Sequence, residues 1–174
     1  MTWPTAVLIG PPGAGKSAVG PLLAERLGTS FRDTDAEIEA VAGQSVSDIF
    51  IERGELAFRE LERAAAARAL QEQAEVGGVV ALGSGAVLDN TLHELLDGLP
   101  VVYLATDFAT IARRLGLDRP RVVVPGNPRG RLRALLEERR PVYERLATLT
   151  VPTDDGDPDQ LADVIAGELS KAQL

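Results

Sequence analysis

Apolar residues recur in this chain in two rhythms. Short unbroken runs at 5–10 (TAVLIG), 77–85 (GGVVALGSG), 101–106 (VVYLAT) and 148–153 (TLTVPT) read as strands buried on both faces. A short segment near Ser30–Arg32, leading into DTD, adds a fifth. Between them, apolar positions return every three or four residues, the helical spacing. GKSAVGPLLAERLG carries Val19, Leu22, Leu23 and Leu27 in this way, with Pro21 to be absorbed by a local adjustment. AEIEAVAG stops at Gly43; Ser45 or Ser47 caps DIFIERG; Gly54 breaks the chain before a long helix from Glu55 to about Gln73. FATIARRLG, the segment from Arg131 to about Leu146, and a terminal segment reaching Leu169 complete the helices. Strands alternating with helices predict an α/β fold, a three-layer α/β/α sandwich around a mainly parallel five-stranded sheet. Neither a repeat nor a linker divides the 174 residues, so one domain is expected over 1–174.

Composition narrows the class. The chain is 45% hydrophobic but only 4% aromatic, which suits a core of Ala, Val, Leu and Ile. It holds no apolar run of membrane-spanning length, and MTWPTAVLIG enters the first strand without a basic region, so a cytoplasmic location and no membrane partner are expected. Without cysteine there is no disulfide or thiol chemistry, and the single His93 cannot make a structural zinc site. His93 and Trp3 read as structural or surface residues.

Charge is unevenly placed. Against a formal net charge of -8, residues 113–145 gather ten arginines and four acidic residues, a local +6. Such a segment is either a solvated helical surface or a concave site for several negative charges. Nucleic acid is a poor candidate, because Tyr143 is the one aromatic residue available there for base stacking.

Chemistry enters at GPPGAGKS, Gly10 to Ser17, which fits G-x-x-x-x-G-K-S between a predicted strand and helix. Glycines let the backbone wrap phosphate, and the helix N-terminus faces the anion. The pattern assigns nucleotide phosphates to Gly13, Ala14, Gly15, Lys16, Ser17 and Ala18, with Lys16 on the outer phosphates and the Ser17 hydroxyl on magnesium. Lys16 is one of two lysines, the other being Lys171. No guanine-selecting NKxD segment follows, and no motor-like extension, so a small-molecule kinase using ATP and Mg2+ is favoured.

In DTD, an extended backbone would turn the carboxylates of Asp33 and Asp35 to one side and Thr34 to the other. Asp33 is then expected in the metal environment and Asp35 at the acceptor hydroxyl; the bland reading is a helix cap. The turn Gly83, Ser84, Gly85 can let a ligand touch backbone. Arg59, spaced for pairing with Glu55 and Glu62, is either a surface pair or a planar clamp on a carboxylate. Arg139 opens the pair in EERRPVYERLA, where Pro141 and Tyr143 suggest a bend or a packed position.

Taken together, GPPGAGKS, DTD, SDIF at 47–50, Gly54, Glu55 and FRELE, LGSGAV and RRPVYERLA resemble the shikimate kinase family, within the nucleoside-monophosphate-kinase-like P-loop folds, from about Ala6 to about Leu169. The resemblance implies ATP-dependent phosphorylation of the 3-hydroxyl of shikimate. It implies that Asp35 holds and activates the substrate hydroxyls, that Asp33 serves the magnesium environment, that Arg59 and Arg139 grip the carboxylate, and that Gly83 to Gly85 line the same site. It further implies a lid at approximately 115–130 whose arginine, counted from Arg114, is Arg121, with Arg119 competing because it keeps the RP order. Arg114 corresponds to the residue covering adenine. Catalysis is thus assigned to Asp35, Lys16 and Arg121. No obligate protein partner is implied.

Two departures stand out. The family usually reads LGGGA, where this chain has Ser84, and RPLL, where it has RVVV after Arg121. A kinase for a related acid, such as an aminoshikimate-like compound, quinate or gluconate, would share the loop and retune these positions. A non-catalytic nucleotide-binding module ranks lower, since it gives no reason for Asp35, Arg59 and Arg139 to occur together.

Overall fold

A computed structural model describes residues 6–117, 126–154 and 156–172. Among them, five strands form one parallel sheet in the order β2-β3-β1-β4-β5. The strands are β1 (Ala6–Ile9), β2 (Phe31–Asp33), β3 (Val79–Ala81), β4 (Val101–Ala105) and β5 (Leu149–Pro152). The helices are α1 (Lys16–Arg26), α2 (Thr34–Ala42), α3 (Val46–Val76), α4 (Asn90–Leu96), α5 (Phe108–Arg114), α6 (Pro128–Leu146) and α7 (Pro158–Ala172).

The unbroken apolar runs are explained by two cores on opposite faces of the sheet. Ala6, Leu8, Val79, Ala81, Val102 and Leu104 pack on one face beneath α1 and α7, through Val19, Leu23, Ala162 and Ile165. Their neighbours Val7, Ile9, Val80, Val101 and Tyr103 pack on the other, against Ala66, Ala69 and Leu70 of α3, Leu92 of α4 and Tyr143 of α6. Alternation within each strand therefore places apolar side chains in both layers. No described helix is long and apolar enough to cross a membrane.

Local signals behave as their chemistry dictates. Ser45, not Ser47, caps α3, accepting from the Asp48 amide. Gly54 breaks the helical dihedrals at φ 85°, ψ 168°, as expected, so α3 is two helical segments joined across a kink. α1 continues through Pro21 to Arg26. Beside that proline, Gly20 is required by a close approach: a Cβ on it would lie 2.1 Å from the Phe31 ring, where α1 meets β2. α6 likewise runs through Pro141 and begins three residues earlier than the spacing predicts, at Pro128, capped by Asn127. α4 has no counterpart among the predicted elements.

Candidate functional site

Central strand β1 delivers the chain into the loop at Gly10–Gly15, and α1 leaves it at Lys16. Gly13 and Gly15 adopt φ of 78° and 101°, which a side chain would resist. The loop lines a cavity of about 660 Å3 shared with Lys16, Ser17, Ala18, Asp33, Asp35 and Ser84. Lys16 Nζ donates to the carbonyls of Gly10 at 2.6 Å and Pro11 at 3.1 Å. Burial pulls this ammonium down to about 8, with Asp35 and Asp33 opposing.

The DTD segment differs from the extended reading. β2 ends at Asp33 and α2 begins at Thr34, because the Asp33 carboxylate accepts from the amides of Asp35 at 3.0 Å and Ala36 at 3.2 Å and so caps the helix. The capping and functional readings coincide, since the other Asp33 oxygen accepts from Ser17 Oγ at 2.7 Å. Thr34 is buried and ties two segments: its hydroxyl donates to Ala81 O and accepts from the Gly83 amide. Asp35, in the first turn of α2, lines the cavity and its buried Oδ1 has no partner. Burial, then the Glu62 and Asp33 carboxylates, raise it to about 6, against the pull of Lys16.

The glycine turn after β3 is where the remaining groups meet. A Cβ on Gly83 would lie 2.6 Å from Asp35 and 2.7 Å from Glu62, and one on Gly85 would lie 2.2 Å from Arg59. Arg139 Nη1 donates to Ser84 Oγ at 3.1 Å, and the Tyr143 hydroxyl donates to Ser84 O at 2.6 Å. The Ser84 side chain thus turns toward α6 and its arginine. Arg139 is 7% exposed, and its buried Nε has no partner. A buried carboxylate with a spare oxygen on the cavity, and a buried guanidinium with a spare N–H bonded to Ser84 of its lining, suit a ligand bearing both an anion and hydroxyls.

Arg59 serves both of its readings. It pairs with Glu62 at 2.7 Å and more loosely with Glu55 at 3.7 Å, yet abuts the glycine turn. Glu62 is the residue that sequence reasoning missed as part of the site. It is 3% exposed, and burial raises its carboxyl while Arg59 draws it back. Its signal was present in the helical stripe Phe58, Glu62, Ala65, Ala69, which puts a carboxylate on the apolar face of α3.

Arg114, expected over adenine, donates to the loop carbonyls of Gly13 at 2.8 Å and Ala14 at 3.3 Å and to Thr153 O at 2.9 Å, at the cavity's edge. Arg119 and Arg121, and with them the choice of lid arginine, lie outside the described residues.

A phosphate loop on the central strand of a parallel sheet, opening on the cavity that Asp35 and Ser84 line, with Arg139 bonded to Ser84 and Arg59 in a separate cavity beside Gly85, defines a P-loop kinase of small carboxylated substrates. The family profile "Shikimate kinase" matches residues 12–170. The chain belongs to the shikimate kinase family. It is 57% identical over 169 residues to a shikimate kinase of Thermobifida fusca, covering 97% of this chain and 96% of that one. A Streptomyces coelicolor shikimate kinase is 47% identical, covering 99% and 100%. Among solved structures, the shikimate kinase of Acinetobacter baumannii in complex with shikimate superposes with a TM-score of 0.87 at 36% identity, covering 99% of this chain and 96% of that one.

Removing either arginine separates two roles. Arg139→Ala is expected to raise KM for the acid by about 10- to 100-fold, the worth of a charge-assisted pair, with little change in stability. Arg59→Ala should weaken acid binding similarly but also lower Tm, because it strands the buried Glu62 carboxylate. Parallel kinetics and thermal melts check this, and equal melts for the two variants would contradict it.

Proposed function

We infer that the chain transfers the γ-phosphoryl group of ATP to the 3-hydroxyl of shikimate, giving 3-phosphoshikimate and ADP. The observation that carries this reading is the convergence on one cavity of Lys16, Asp35 and Ser84, with Arg139 bonded to Ser84 and Arg59 against Gly85. Loop amides and the α1 N-terminus hold the nucleotide phosphates at Gly13–Ala18, and Lys16 follows the charge on the transferring group. Asp35 accepts from the attacking hydroxyl and holds it in line, while Arg59 and Arg139 bind the carboxylate beside Gly83–Gly85. Arg114, anchored on the loop, borders the base, and the lid arginine, Arg121 by the count from Arg114 or Arg119 by its RP order, would neutralise phosphate charge.

Magnesium fits the donors present. Ser17 Oγ and Asp33 are hard oxygen groups bonded to each other at the first turn of α1. Magnesium at phosphates is commonly held by one or two protein oxygens together with phosphate and water. Ser17 would ligate it directly and Asp33 would hold its waters, and the ion would neutralise charge on the phosphates. The reaction belongs in the cytoplasm, where ATP is available, within one domain of 174 residues.

A coupled assay of ADP formation across shikimate, aminoshikimate, quinate and gluconate, with and without Mg2+, tests the reading. Shikimate is expected to lead in kcat/KM, and chelation to abolish turnover. A higher kcat/KM for any other acid would reassign the acceptor.

A further inference from the structure

Resting on the reading that the acid's carboxylate lies between Arg59 and Arg139, we propose that Ser84 is a second-hand on that carboxylate: its oxygen holds Arg139 in place beforehand, and its proton is donated to the acid. Ser84 occupies the middle of the turn, between Gly83 and Gly85. Its hydroxyl oxygen accepts from Arg139 Nη1 at 3.1 Å, so the O–H hydrogen points elsewhere. Among the described residues that hydrogen has no acceptor, and Ser84 lines the cavity together with Lys16 and Asp35.

The turn cannot easily carry the hydroxyl away. Ser84 O is held by Tyr143, itself 1% exposed and stacked on Tyr103 at 5.1 Å. The preceding Gly83 amide is held by Thr34, and Gly85 is pressed against Arg59. On the other side, Arg139 is fixed through one nitrogen while its buried Nε remains open. An arriving carboxylate thus meets a guanidinium already oriented, with a neutral O–H donor alongside. A glycine at this position provides neither. The gain falls on the acid, because the partner of Ser84 is the α6 arginine and not an atom of the phosphate loop.

The test uses the full chain with Ser84→Ala and Ser84→Gly. Calorimetric titration with shikimate, without nucleotide, reads binding, and steady-state kinetics read kcat and both KM values. Both variants are expected to weaken shikimate binding, and to raise its KM, by about 10-fold, the worth of a charge-assisted hydrogen bond, with kcat and KM for ATP within about twofold. Unchanged shikimate binding would overturn the proposal, as would an equal loss for ATP and acid, which marks general damage to the cavity. Failure of the wild-type chain to turn over shikimate would instead sink the acceptor assignment under Proposed function.

Discussion

Asp35→Asn is expected to lower kcat by about 10^3-fold, within the range by which a positioned base accelerates proton transfer, while raising Tm near neutral pH. Both effects follow from one feature. Asp35 is buried beside Glu62 with an unpartnered oxygen, and its carboxyl stands at about 6 against an ordinary 3.8. A group whose proton is held more tightly in the folded state destabilises that state once ionised, so stability is lost as pH rises through about 6 and stays lost above it. The cost at neutral pH is about 3 kcal/mol, which asparagine removes. Melts of the two proteins should therefore differ by several degrees at pH 7.5 and converge below about pH 3, where aspartate is protonated in both states. An inactive variant that melted lower would mean that Asp35 supports the fold. Unchanged turnover would remove it from the chemistry.

Lys16→Ala should cost at least about 10^3-fold in kcat/KM, since it deletes the ammonium seated at Gly10 and Pro11, where charge moves in the transition state. In the free protein the ammonium stands at about 8. With Asp35 active when ionised and Lys16 when protonated, kcat/KM is expected to rise through about 6 and fall beyond about 8. Replacing Lys16 by arginine keeps the charge far above neutrality, so the alkaline limb should move upward in whatever activity remains. An unmoved limb would assign it to another group.

Much of this is legible in the amino-acid sequence alone. The strands were readable because burial on both faces makes their sequences continuous, and the phosphate loop because its glycines and lysine answer one geometric demand. What spacing could not show was how segments far apart share an anion site. The helical stripe Phe58, Glu62, Ala65, Ala69 marks Glu62 as buried, but the partnership of α3 with the turn at Gly83 is what reveals the role of its carboxylate. The extended reading of DTD failed because Asp33 found a better use for its oxygen, on the amides of Asp35 and Ala36. α4 escaped notice because its seven residues give too short a period to register.

Thr34 and Tyr143 grip the same short turn from points 109 residues apart in the chain, the first through the Gly83 amide and the second through Ser84 O. A nascent polypeptide consequently has no finished acid pocket until α6 has been made and docked. Shikimate, by engaging only the completed arrangement, would act as a late clasp on maturation, and supplementation with it should rescue the yield of weakened variants whose lesions lie far from the pocket.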